Sequence, residues 1–184
     1  MSKPKLGYLL FDLPGDHEIE GTLATECQTI EAIIHNRGMQ ARVKRICVAS
    51  TERFLSYPTY KYGVQFVHLA CHGGKGGIGM LGGKVTWDKV AQQVTRHLKP
   101  LESEQRVICF SCCYSQAGFD KTKEAFGNYF TGAYLFDKTK VPFAQSIATW
   151  AMFYLRKELL YPHEAIVKPI NDFIGEKLLK FKRY

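Results

Sequence analysis

Short apolar runs alternating with segments of helical period constrain the fold of this 184-residue chain more than any other feature. Residues 6–13 form an apolar run stopped by Pro14-Gly15, the pattern of a buried strand. Over residues 20–37 the apolar Leu23, Cys27, Ile30, Ile33 and Ile34 recur at helical spacing, and Gly38 supplies a stop. Residues 41–49 predict a second strand, 50–62 a short helix broken at Pro58, and 65–71 a third strand. A glycine-rich loop follows, then a helix over 87–98 with Thr86 as its cap. Residues 106–111 are almost wholly apolar and predict a central fourth strand. A fifth falls at 132–136, and helices at 143–159 and 163–181 complete the chain. Strands alternating with helices predict one domain over residues 1–184. Its form is an α/β/α sandwich with a mainly parallel sheet covered on both faces.

Apolar residues at 46% and charged residues at 23% are the balance of an ordinary globular domain. No run approaches the roughly 20 apolar residues that cross a bilayer, so no membrane partner is expected. Met1-Ser2-Lys3-Pro4-Lys5 precedes an apolar run that is too short for a signal segment and is broken by Asp12. A cytoplasmic location follows as the expectation, and with it reduced thiols. Cys27, Cys47 and Cys109 fall in helical or strand-like patterns and read as small buried hydrophobes. The net charge of +8 is scattered along the chain, and the cations of residues 177–183 read as a helix end favoured by the dipole. Nucleic acid is therefore not the expected partner.

Parallel sheets carry their chemistry at the carboxyl ends of the strands. The third strand runs out through His68-Leu69-Ala70-Cys71-His72-Gly73, and the fourth through Ser111-Cys112-Cys113. Neighbouring parallel strands lie about 4.8 Å apart, so adjacency of these two would bring His72 and Cys113 to one edge. A thiol beside an imidazole is the arrangement of a nucleophile and its base, and an adjacent imidazolium raises the thiolate fraction.

The run from His68 to Gly73 resembles the His-Gly box of caspase-like peptidases, CHAT domains above all, and Ser111-Cys112-Cys113 resembles their nucleophile box. The segment 79–87 is similar to the small hairpin and helix start between those boxes, and 132–135 with 143–159 to the later strand and helix. The resemblance implies a caspase-like fold and a bacterial cysteine endopeptidase. His72 would be general base, Cys113 nucleophile, and Cys112 a small inward-facing residue. Gly73 and Cys113 would offer their backbone N–H groups to the oxyanion. Asp12 and Ser111 would stand at substrate-binding positions. Ser111 replaces the acidic residue that metacaspase-like enzymes carry there, so a basic P1 residue is not implied. Asp12 either supplies the missing charge or forms the turn before Pro14-Gly15. The resemblance calls for no metal or organic cofactor. It implies a regulated effector, in phage defence or cell death, acting on protein or peptide substrates under a regulatory partner on a separate chain.

Other readings compete. The fold could persist without catalysis as a binding module. Gly77-Ile78-Gly79-Met80-Leu81-Gly82 matches a dinucleotide pattern but neither follows a strand directly nor opens a helix. Its glycines read instead as a mobile flap. A metal site at Cys71, His72, Cys109, Cys112 and Cys113 is opposed by strand alternation, which turns adjacent residues to opposite faces.

Overall fold

The computed structural model describes residues 7–15, 22–36, 42–99, 105–157 and 162–184. The expected boundary residues Leu6, Glu20, Arg37, Gly38, Ala41 and Leu159 lie outside that set. In chain order the elements are β1 (Gly7–Leu13), α1 (Thr22–Asn36), β2 (Arg42–Cys47), α2 (Thr51–Ser56), β3 (Phe66–Gly74), β4 (Gly77–Met80) and β5 (Gly83–Thr86). They continue with α3 (Trp87–Arg96), β6 (Val107–Ser111), α4 (Ser115–Gly127), β7 (Gly132–Phe136), α5 (Phe143–Arg156), α6 (His163–Ile174) and β8 (Leu179–Arg183). The main sheet has the order β2-β1-β3-β6-β7-β8, parallel throughout except for β8.

Strand alternation sorts the core into two halves. Leu9, Leu13, Leu69, Cys71, Ile108, Phe110 and Cys112 pack with residues of α3 and α4 such as Val90, Val94, Phe119 and Phe126. On the other face, Tyr8, Leu10, Phe66, Ala70 and Cys109 pack with Ile30 of α1, Trp150 and Phe153 of α5 and Ile170 of α6. The molecule is thus a three-layer α/β/α sandwich, and its central strands are buried on both sides. Among the described residues, no helix is long and apolar enough to cross a membrane.

Several expectations are corrected. The glycine-rich stretch after β3 is not a loop but a β4–β5 hairpin that pairs with the end of β3, and it contains the small hairpin expected over residues 79–87. It is pinned at Leu81 by hydrogen bonds from Leu81 N–H to the Ala49 carbonyl and from Thr51 N–H to the Leu81 carbonyl, which leaves no free flap. Thr86 occupies the N-cap of α3 without making a side-chain capping bond. Cys47 is exposed, because β2 is an edge strand with a solvent-facing side. The C-terminal helix stops at Ile174, where Gly175 adopts φ +82°. Asn171 then accepts from the N–H groups of Leu178 and Leu179 and donates to the Leu179 carbonyl. The basic tail is therefore an antiparallel strand rather than a helix end. No element is expected from the sequence over residues 115–127, yet α4 stands there.

His163 fastens the first turn of α6 to the sheet. Its ring stacks on Phe181 at 4.0 Å between centroids, and its Nδ1 lies 2.7 Å from the Tyr134 hydroxyl. Burial, helped by the Lys157 ammonium, pushes the imidazole down from 6.5 to about 4. The unfolded chain therefore binds the proton first, and native stability falls as pH drops through the window from 6.5 to about 4. Thermal unfolding across that window should show this loss in the wild type and a flatter profile in His163→Asn. Equal slopes would remove His163 from the account.

Candidate active site

The β3–β6 pairing sets Phe66 opposite Val107, and so on residue by residue to Ala70 opposite Ser111. Two residues further along each chain are His72 and Cys113. His72 stands two residues beyond that last pair within β3, so the pleat directs it toward the side of the sheet that carries α1 and α5, whereas Cys113 stands in the turn past the end of β6. Cys71 and Cys112 fall on the opposite face, both buried in the α3–α4 half of the core. The Cys71 thiol is hydrogen-bonded to Cys112, and its own ionisation is pushed well up by burial. Cys113 is half-buried and His72 exposed, so of the adjacent cysteines only Cys113 is offered to solvent.

Gly73 is where the two strand ends meet. A Cβ built on it would clash outright with the carbonyl oxygen of Cys113 and lie 3.0 and 3.1 Å from Cβ and Sγ of Cys112. Only glycine allows this approach. From the other side, the loop after β1 closes on the imidazole, since a Cβ on Gly15 would come within 2.6 Å of His72 Cδ2. His72 also pairs with Gly79 of the hairpin.

Tyr114 follows Cys113 at φ +53°, the one left-handed non-glycine residue among those described. Such a residue costs on the order of 1 kcal/mol. The turn is held by its surroundings: Tyr114 N–H donates to the Thr139 carbonyl at 2.8 Å, and Gly118 N–H to the Tyr114 carbonyl at 3.2 Å. Ser115 Oγ donates to the Phe136 carbonyl and accepts from the Phe136 N–H. The Tyr114 N–H is therefore committed to the Thr139 carbonyl and is not a donor for an oxyanion.

The tight turn launches α4 directly from Cys113. The first turn of α4, which begins two residues after Cys113, carries no acidic residue and no side-chain cap, so the positive end of its dipole is not offset there. The helix is missed in the sequence reading, although Phe119, Thr122 and Phe126, all buried, have a helical spacing that announces it. Beside Tyr114 opens a cleft of about 500 Å³ lined by Lys75, Gln116, Asp120, Lys138 and Lys180 among others.

Asp12 and Ser111 flank Ala70 in one row of the sheet, beneath the level of His72 and Cys113. Neither reaches solvent: Asp12 is 0% and Ser111 2% exposed. The Asp12 carboxyl has no hydrogen-bonding nitrogen or oxygen partner among the described residues. Burial pushes its ionisation up from 3.8, and Arg45 and the Cys47 thiol offset this only in part. The Gly77–Gly82 run forms β4 and its turn, the wrong backbone for a dinucleotide loop. Among the described residues, no group of three or more His, Cys, Asp or Glu side chains is arranged to hold a metal. No protein-family model matches the chain, and no curated protein matches it.

Two measurements follow. Gly73→Ala should force the strand ends apart and depress the alkylation rate of Cys113 by on the order of tenfold or more; an unchanged rate would mean that the contact is not needed. Asp12 binds its proton more tightly in the native state, so its contribution is present below the unfolded pKa and is lost as pH rises through the native one. Asp12→Asn should therefore unfold at a higher temperature than the wild type at pH 7, with the gain shrinking on acidification toward pH 4. A lower midpoint at pH 7 would show that the carboxylate is needed for stability.

Proposed function

We propose that the chain is a cysteine endopeptidase of the caspase-like, CHAT-like kind, acting through His72 and Cys113. The observation that supports the reading is the close approach of Gly73, the residue after His72, to the Cys113 backbone where β3 and β6 run out side by side. The mainly parallel three-layer fold agrees with what the resemblance of the two boxes implies.

In this mechanism His72 takes the Cys113 proton and the thiolate attacks the scissile carbonyl. The N–H groups of Gly73 and Cys113 receive the oxyanion. His72 then passes the proton to the leaving amine, and water activated by the same imidazole releases the acyl group from sulfur. Substrate lies across the cleft beside Tyr114, and Asp12 and Ser111 bind the side chain that enters below the reactive pair. Both residues are buried, and control by a regulatory partner on a separate chain is the natural complement, in keeping with a regulated cytoplasmic effector. The chemistry requires neither a metal nor an organic cofactor.

Peptidyl acyloxymethyl ketones with varied P1 residues, followed by peptide mass spectrometry, test the proposal. The expected adduct sits on Cys113 in the wild type and in Cys112→Ala, and is absent from Cys113→Ala and His72→Ala. Peptide hydrolysis should fall by on the order of 10³-fold or more in Cys113→Ala. An adduct on Cys112, with Cys113 silent, would give the nucleophile's place to the wrong residue. No adduct on any thiol, even with cell extract added as a source of activator, would favour a catalytically inactive binding module.

A further inference from the structure

Beneath the reactive pair, on the face of the sheet that packs on α1 and α5, runs a chain of buried polar side chains of which only Ser111 has a place in the proposed substrate site. The hydroxyls of Ser111 on β6 and Ser146 on α5 share a hydrogen bond of 2.9 Å. Ser146 Oγ donates to Glu26 Oε2 on α1 at 2.7 Å. Having given its only proton to the carboxylate, Ser146 must accept from Ser111. Glu26 Oε1 lies 2.8 Å from His68 Nε2 on β3, and His68 Nδ1 lies 3.2 Å from the Tyr154 hydroxyl on α5. Glu26 is 1% and His68 0% exposed, and Ser111, Ser146 and Tyr154 are buried as well. Polar groups taken this far from water are costly unless every bond is made, and a satisfied network then holds its members in one arrangement.

Both arms converge on one carboxylate: one starts on β6 at Ser111, two residues before Cys113, and the other on β3 at His68, four residues before His72 and on the same face of that strand. We propose that Glu26 is the positioning residue of the pair: through Ser146 and through His68 it locks the ends of β6 and β3 to α1 and α5, and so sets the separation of Cys113 from His72. This rests on the peptidase reading above.

The test is the rate of alkylation of Cys113 by iodoacetamide at pH 7 in the full chain, followed by peptide mass spectrometry, with thermal unfolding as the check on folding. The rate in His72→Ala defines the floor set by loss of the base. Ser146→Ala, which cuts the arm to Ser111, should unfold cooperatively and drop about fivefold or more toward that floor. Ser146→Thr, which keeps the hydroxyl, should return the rate to within about twofold of the wild type. A wild-type rate in Ser146→Ala overturns the proposal, as does an equal loss in Ser146→Ala and Ser146→Thr, which would assign the effect to packing. If Ser146→Ala does not fold, Ser111→Ala breaks the same link from the strand side and carries the same expected drop. A wild-type rate no higher than that of His72→Ala would instead overturn the peptidase reading beneath it.

Discussion

The parallel pairing of β3 with β6 is the contact on which both the core and the candidate site depend. Its five aligned residue pairs bury Phe66, Val67, Leu69, Val107, Ile108 and Phe110 on alternate faces of the sheet. The same register brings the ends of β3 and β6 side by side at the sheet's edge, where Gly73 meets the Cys113 carbonyl. A slip by one residue would turn every side chain of the slipped strand to the opposite face. Because both faces of these strands are packed, such a slip would also expose apolar side chains and bury polar ones. The hydrophobic core therefore fixes where the two strand ends meet.

Several costs gather where those strands end. Tyr114 holds a left-handed backbone, Gly73 is pressed against the Cys113 carbonyl, and Asp12 is buried with its carboxyl lacking a nitrogen or oxygen partner among the described residues. Strain and unpaired polar groups persist only where the surroundings over-determine them. Here those surroundings are Thr139 bonded to Tyr114, Ser115 clasping Phe136, and the β4–β5 hairpin pinned at Leu81. The buried chain from Ser111 through Glu26 to Tyr154 belongs to the same edge and ties it to α1 and α5. Together these features make a rigid platform that lifts Cys113 between a strand and the start of α4.

Much of this was legible in the sequence because the signals are local. Apolar runs mark β1, β3, β6 and β7, and helical spacing marks α1, α3 and α5. The choice of Cys113 over Cys112 rests on the resemblance to the nucleophile box, since both stand past the end of β6. What escaped depends on contacts between distant residues. β8 follows only a few residues after α6, and its Leu-Lys-Phe-Lys-Arg sequence also suits a helix end; Gly175 and the side chain of Asn171 decide the matter. The hairpin glycines suggest mobility until Leu81 finds Ala49 and Thr51. α4 was marked by Phe119, Thr122 and Phe126, but the strand signal before it draws attention away. Glu26 and Ser146 are 120 positions apart, and nothing along the chain links them.

The central claim is that His72 and Cys113 stand within reach of each other. Cross-linking with 1,3-dibromoacetone tests it most directly, since this short bis-electrophile alkylates a reactive thiol first and then captures an adjacent imidazole. Digestion and mass spectrometry of the treated wild type should recover the Cys113 peptide joined to the His72 peptide through one ketone bridge, and the joined species should be absent from Cys113→Ala. A Cys113 adduct that ends as the hydrolysed mono-alkylated form, or that bridges to another residue while His72 stays unmodified, would contradict the account.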